Sequence, residues 1–124
     1  MLEGRGFVVV GEAANGREAV RMAQQLDPDL ALVDLKMPVL NGVDTAREIL
    51  QRSSTIRVVA LTVHRTQDYV LAALRAGARG YILKSRLGDD LDQAIEEVFR
   101  GGIWVTAEVR SAAVEDWIAG LNLS

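Results

Sequence analysis

The sequence contains no cysteine and a single histidine. Disulfides and thiol chemistry are excluded, and a structural zinc site lacks its usual ligands. Basic charge is also short. Fourteen Lys and Arg face seventeen Asp and Glu, for a net charge of −3 and a pI near 5.1. That balance leaves no electrostatic footprint for nucleic acid, so direct nucleic-acid binding is not expected. No apolar run approaches the ~20 residues that span a bilayer, so no membrane role is expected either. Met1-Leu2-Glu3-Gly4-Arg5-Gly6 is not a signal peptide, because no apolar segment follows a basic start. With the lack of cysteine, this fits a cytoplasmic location. The chain shows no internal repeat, low-complexity stretch or flexible linker.

What is present is ordinary for one soluble domain: 124 residues, 49% hydrophobic and 25% charged. Four short apolar runs have strand length: Phe7–Gly11, Leu30–Asp34, Arg57–Thr62 and Gly80–Lys84. Continuous runs of this kind are buried on both faces, as in parallel sheets. Between them lie helical patterns at about 17–26, 42–52 and 67–76, the last closed by Gly77. A further pattern carries Leu87, Leu91, Ala94, Ile95 and Val98 and ends at Gly101-Gly102. The alternation predicts an α/β fold with a parallel sheet and right-handed crossovers. Beyond it, Thr106, Val109, Ala113, Trp117 and Leu121 predict a capped amphipathic helix that could fold back on the domain or pack on another chain.

The stretch that organises the rest is Val33-Asp34-Leu35-Lys36-Met37-Pro38-Val39-Leu40-Asn41-Gly42. Asp34 ends a buried strand, where open α/β sheets place their sites. Taken singly, Asp34 reads as a loop cap or turn residue, Thr62 as a β-branched strand residue and Lys84 as a surface charge. All three, however, terminate apolar strands, and parallel strands bring their carboxyl ends to one edge. A carboxylate, a hydroxyl and an ammonium there suit phosphoryl chemistry: the first attacks phosphorus and the others bind its oxygens. No nucleophile elbow is present, which argues against a hydrolase.

These residues carry a resemblance. Asp34-Leu-Lys-Met-Pro-Val-Leu-Asn-Gly42, Leu61-Thr62, Ala76-Gly77-Ala78-Arg79-Gly80-Tyr81-Ile82-Leu83-Lys84 and Gly101-Gly102 are similar to the receiver domains of two-component response regulators, in the LuxR-type helix-turn-helix group. The resemblance implies a flavodoxin-like doubly wound parallel sheet over residues 1–102, with a linker helix segment at 103–124. It implies a signalling domain rather than an enzyme, phosphorylated on Asp34 by a sensor histidine kinase. Thr62 is then the switch hydroxyl, Lys84 its charged partner at the phosphoryl group, and Tyr81 the aromatic switch. Val63 and His64 tune access, and Mg²⁺ is bound by Asp34 and the Lys36 backbone carbonyl.

One departure stands at the front. The family begins with a further strand ending in two acids that hold Mg²⁺, then a first helix. This sequence opens near the end of that helix, with four strands visible. Glu12 aligns with a loop residue outside the metal site. Asp34 and one carbonyl leave an octahedral Mg²⁺ shell mostly to water, which weakens metal-assisted transfer. In the family that strand sits between those at 7–11 and 30–34. About five buried side chains, at ~1.5–3 kcal/mol each, are then missing from the core. Direct pairing of the two strands, or association with a second copy, would close the gap, and a homodimer is the expectation. The alternatives are a phosphorylation-independent dimerisation or sequestration module, or a fragment of a longer DNA-binding response regulator.

Overall fold

Apolar and β-branched runs build an all-parallel sheet of five strands: β1 (Phe7–Glu12), β2 (Leu30–Asp34), β3 (Arg57–Thr62), β4 (Gly80–Leu83) and β5 (Trp104–Val105). The computed structural model describes residues 7–12, 20–21, 29–34, 39–52 and 55–121. The helices are α1 (Val39–Arg52), α2 (Gln67–Arg75), α3 (Leu87–Phe99) and α4 (Ala112–Gly120). Of the helix expected at 17–26, Val20 and Arg21 are helical and the other positions lie outside the described residues.

Sheet order follows chain order, β1-β2-β3-β4-β5. β1 therefore pairs directly with β2, from Phe7 opposite Leu30 to Glu12 opposite Asp34, with a register shift between Val10 and Glu12. No strand lies between them: of the two ways to close the gap, the chain takes direct pairing, and each strand supplies the other's backbone partners. β1 also runs one residue longer than expected, so Glu12 belongs to the strand and not to a loop.

Side chains alternate across the sheet, as the pleat requires. Ala31, Val33, Val58, Ala60, Tyr81 and Leu83 join one layer, against α1, α2 and α4. Leu30, Leu32, Val59, Leu61 and Ile82 join the other, against α3. The crossovers β3-α2-β4 and β4-α3-β5 step the same way across the sheet, yet α2 and α3 lie on opposite faces. Those two crossovers consequently have opposite hands; the one to β5 lies outside the four-strand alternation for which right-handed crossovers are expected.

Local chemistry sets the element ends. α1 starts at Val39, three residues earlier than expected. α2 closes in a Schellman motif: Gly77, at φ +109°, donates to Leu74 O and Ala78 donates to Ala73 O. A side chain at position 77 would also collide with Leu50 Cδ1, 2.5 Å from its Cβ. The terminal helix is shorter than its pattern. Ser111 caps α4 by accepting the Val114 N–H at 3.2 Å. Thr106, which the sequence suggests as that cap, instead follows the fifth strand, one more than the four expected, and is 1% exposed.

Candidate functional site

The carboxyl ends of β2, β3 and β4 share one sheet edge. Asp34 ends β2 opposite Leu61, Thr62 ends β3 opposite Leu83, and Lys84 follows β4 at once, opening a 3₁₀ turn over Lys84–Arg86. Neighbouring strands run ~4.8 Å apart, so the three backbone positions fall within about two strand spacings. Glu12 stands beside Asp34 by register. Lys36 lies outside the described residues.

Thr62 is fully buried, and its Oγ1 accepts the His64 N–H at 3.0 Å. The β3–α2 loop thereby folds back on its own strand end. Val63, between them, is 64% exposed, the one large hydrophobic so exposed among the described residues. Tyr81 is buried in β4, and its hydroxyl donates to the His64 carbonyl at 2.8 Å. Burial pushes the Tyr81 phenol well up, the neighbouring Tyr69 adds to this, and a hydrogen bond with Thr62 pulls the other way. The His64 ring, half-buried, stacks on Tyr69 with centroids 4.2 Å apart and planes at 13°. Tyr69 in turn meets Tyr81 edge-on at 6.4 Å.

Tyr69 falls on the apolar face of the helical pattern over 67–76, with Val70, Ala73 and Leu74, and the resemblance gives His64 no role beyond access. A polar network behind β4 escapes the sequence patterns. Thr106 Oγ1 accepts the Leu83 N–H at 3.2 Å and donates to Asp90 Oδ2 at 3.0 Å. Asp90 is 6% exposed and also accepts from Arg86 at 3.3 Å. Glu108 bridges to Arg65 at 2.8 Å, tying this segment to the loop after Thr62. The pattern Arg86-x-x-x-Asp90 was the available signal, since residues four apart on a helix meet. A cavity of about 620 Å³ lies around Leu50, Ile56, Arg57, Gly77, Arg79 and Gly101, away from Thr62, His64 and Tyr81.

The profile of the response regulator receiver domain matches residues 1–96. The transcriptional regulatory protein DegU of Brevibacillus brevis is 33% identical over 111 residues, 90% of this chain and 47% of that protein. The nitrate/nitrite response regulator protein NarL of Escherichia coli K12 is 41% identical over 95 residues, 77% of this chain and 44% of NarL. The chain thus spans just under half the length of these curated relatives. A crystal structure of a LuxR-family two-component response regulator from Aurantimonas sp. SI85-9A1 aligns with a TM-score of 0.75 at 32% identity. The match covers 94% of this chain and 83% of that one. The isolated receiver domain of RcsB from Salmonella enterica serovar Typhimurium, solved with phosphomimetic BeF₃⁻, shares the fold at a TM-score of 0.68 and 23% identity.

Proposed function

Because the chain belongs to the response regulator receiver domains, in their LuxR-type group, we propose that Asp34 accepts a phosphoryl group from a sensor histidine kinase. The observation that carries this is the shared edge: Asp34, Thr62 and Lys84 end or follow three adjacent parallel strands. A carboxylate oxygen of Asp34 attacks phosphorus, the P–N bond to the kinase imidazole breaks, and an acyl phosphate forms while the ring leaves. Lys84 offsets part of the added charge, about −1.5 to −2, and the Thr62 hydroxyl donates to a phosphoryl oxygen. Tyr81 follows Thr62, because both hold His64.

Mg²⁺ supplies charge neutralisation to this chemistry when bound. Asp34 and the Lys36 backbone carbonyl would hold it, as hard oxygen donors of the kind such an ion takes. The chain itself acts as a phosphorylated signal carrier and not as an enzyme with turnover. Residues 1–102 form the receiver unit and 103–124 a linker helix segment packed on it. The working assembly is a homodimer and the location cytoplasmic. No helix among the described residues is long and apolar enough to cross a membrane. No observation favours the phosphorylation-independent reading.

Incubation with acetyl phosphate and Mg²⁺, followed by intact mass, tests the proposal. One base-labile phosphoryl group is expected, added slowly because the Mg²⁺ shell is left mostly to water, and Asp34→Asn should abolish it. A chain that stays unlabelled, or labels equally well as Asp34→Asn, overturns the assignment.

A further inference from the structure

Tyr69 is 2% exposed, yet its hydroxyl has no hydrogen-bond partner among the described residues. Buried side-chain hydroxyls are almost always paired. Trp104 Nε1, likewise without a partner, belongs to a side chain packed with the α3 layer on the other side of the sheet. Tyr69 instead adjoins the candidate site. Its ring lies flat on His64 and edge-on to Tyr81. His64 is held at both backbone groups, its N–H on Thr62 Oγ1 and its carbonyl under the Tyr81 hydroxyl. Thr62, His64, Tyr81 and Tyr69 are thus contiguous, and one phenol oxygen among them is unused.

The accounting changes when Thr62 turns toward a phosphoryl oxygen. The His64 N–H then loses its acceptor, and a partly buried backbone N–H must find another. We propose that Tyr69 is a positioning residue of this switch. Its phenol oxygen takes the His64 N–H that Thr62 releases, while its ring holds the loop in place through the exchange. The two arrangements trade one hydrogen bond for another, which is what a two-state element requires. The inference rests on the reading of Asp34 as phosphoacceptor. The bland reading is that Tyr69 only fills core volume, in which case phenylalanine would serve as well.

The chain has two tyrosines, so 3-fluorotyrosine labelling gives two ¹⁹F resonances, assigned by Tyr69→Phe and Tyr81→Phe. Without any phosphodonor, Thr62→Val frees the His64 N–H and should shift the Tyr69 resonance by about 0.5 ppm or more. Thr62→Ser, which keeps the hydroxyl, should restore the wild-type position. An unmoved Tyr69 resonance in Thr62→Val, or equal shifts in both variants, overturns the proposal. With acetyl phosphate and Mg²⁺, the Tyr69 resonance should shift in proportion to the phosphoryl group counted by mass. Per labelled chain, Tyr69→Phe should convert the Tyr81 resonance at least threefold less completely than wild type, and equal conversion overturns the proposal. At rest, Tyr69→Phe should melt no lower than wild type. A fall of several degrees would mean that the hydroxyl is already bonded. A chain that takes no label contradicts the Asp34 reading, and the Thr62 variants then decide the role of Tyr69 by themselves.

Discussion

The buried members of the layer beneath α3 are aliphatic throughout, whereas the layer beneath α1, α2 and α4 contains two buried tyrosines. Aliphatic side chains such as Leu61, Ile82 and Ile95 have no alternative partners to choose between. They are held by volume alone, and close-packed volume has one solution. Phenols differ, because each hydroxyl can trade one hydrogen bond for another at little net cost. The polar anchor on the α3 side, Asp90, is fixed by both Arg86 and Thr106. One face is therefore built to stay and the other to rearrange.

The largest test of that contrast removes residues 103–124, which feed mainly the tyrosine layer. Ile103, Val105, Val109 and Val114 are all buried there. At ~1.5–3 kcal/mol each they contribute on the order of 10 kcal/mol, against a total stability of ~5–15 kcal/mol for a typical domain. A chain ending at Gly102 should lose its cooperative denaturant transition. A sharp two-state curve would show that the receiver unit stands without its linker segment.

Next in size is Ile95→Ala beneath α3. The side chain is fully buried, so urea unfolding should report a loss of about 2–5 kcal/mol. Labelling per folded molecule should be unaffected, because that layer has no part in the switch. Thr106→Val should follow at about 1–3 kcal/mol, since it leaves the Leu83 N–H and a buried Asp90 oxygen without a partner. A cost near zero would mean that water replaces the hydroxyl.

Alkali should act on the tyrosine layer alone. Both phenols are raised above their ordinary value of 10.0, Tyr69 by burial and Tyr81 by burial together with its neighbour Tyr69. Above pH ~10 the unfolded chain gives up phenol protons that the folded chain keeps. Stability from this source is complete below that pH and falls above it. Absorbance at 295 nm should show both tyrosines ionising together with unfolding, not as free phenols near 10. The smallest effect belongs to Arg65→Ala. The Arg65–Glu108 pair is exposed on both sides, so its loss should cost ~0.2–1 kcal/mol and diminish further with salt.

Much of the sheet was legible in the chain. The runs at 30–34 and 57–62 match their strands residue for residue, because buried strands need unbroken apolar sequence. Gly77 was legible for a similar reason: a helix end that turns left-handed needs a residue without a Cβ. What escaped was long-range. β5 has two residues, too few for any periodicity to register. Thr106 looked like a helix cap because a hydroxyl before an apolar pattern usually is one, and nothing local reveals that Asp90 claims it. Tyr69 fitted the apolar stripe of α2, and the His64 ring that covers it comes from outside that helix. The direct pairing of β1 with β2 was one of two routes the sequence left open.

The opposed hands of the two crossovers bear on how the domain breathes. Nearly all crossovers between parallel strands are right-handed. The regular pair β3 and β4 takes that form, which leaves the rare hand to β5. That strand is held by few bonds, among them Trp104 N–H to Arg79 O and Thr106 N–H to Tyr81 O, each at 3.0 Å. Segments with so few attachments open locally, far below the free energy of global unfolding. In native-state hydrogen exchange, the Trp104 and Thr106 amides should therefore exchange through a small local opening, while those of Val59 and Ile82 wait for the whole domain to unfold. Each such opening lifts the strip that lies against Tyr81 without disturbing the sheet core, and the frequency of that event sets how often solvent reaches the tyrosine strand from its outer side.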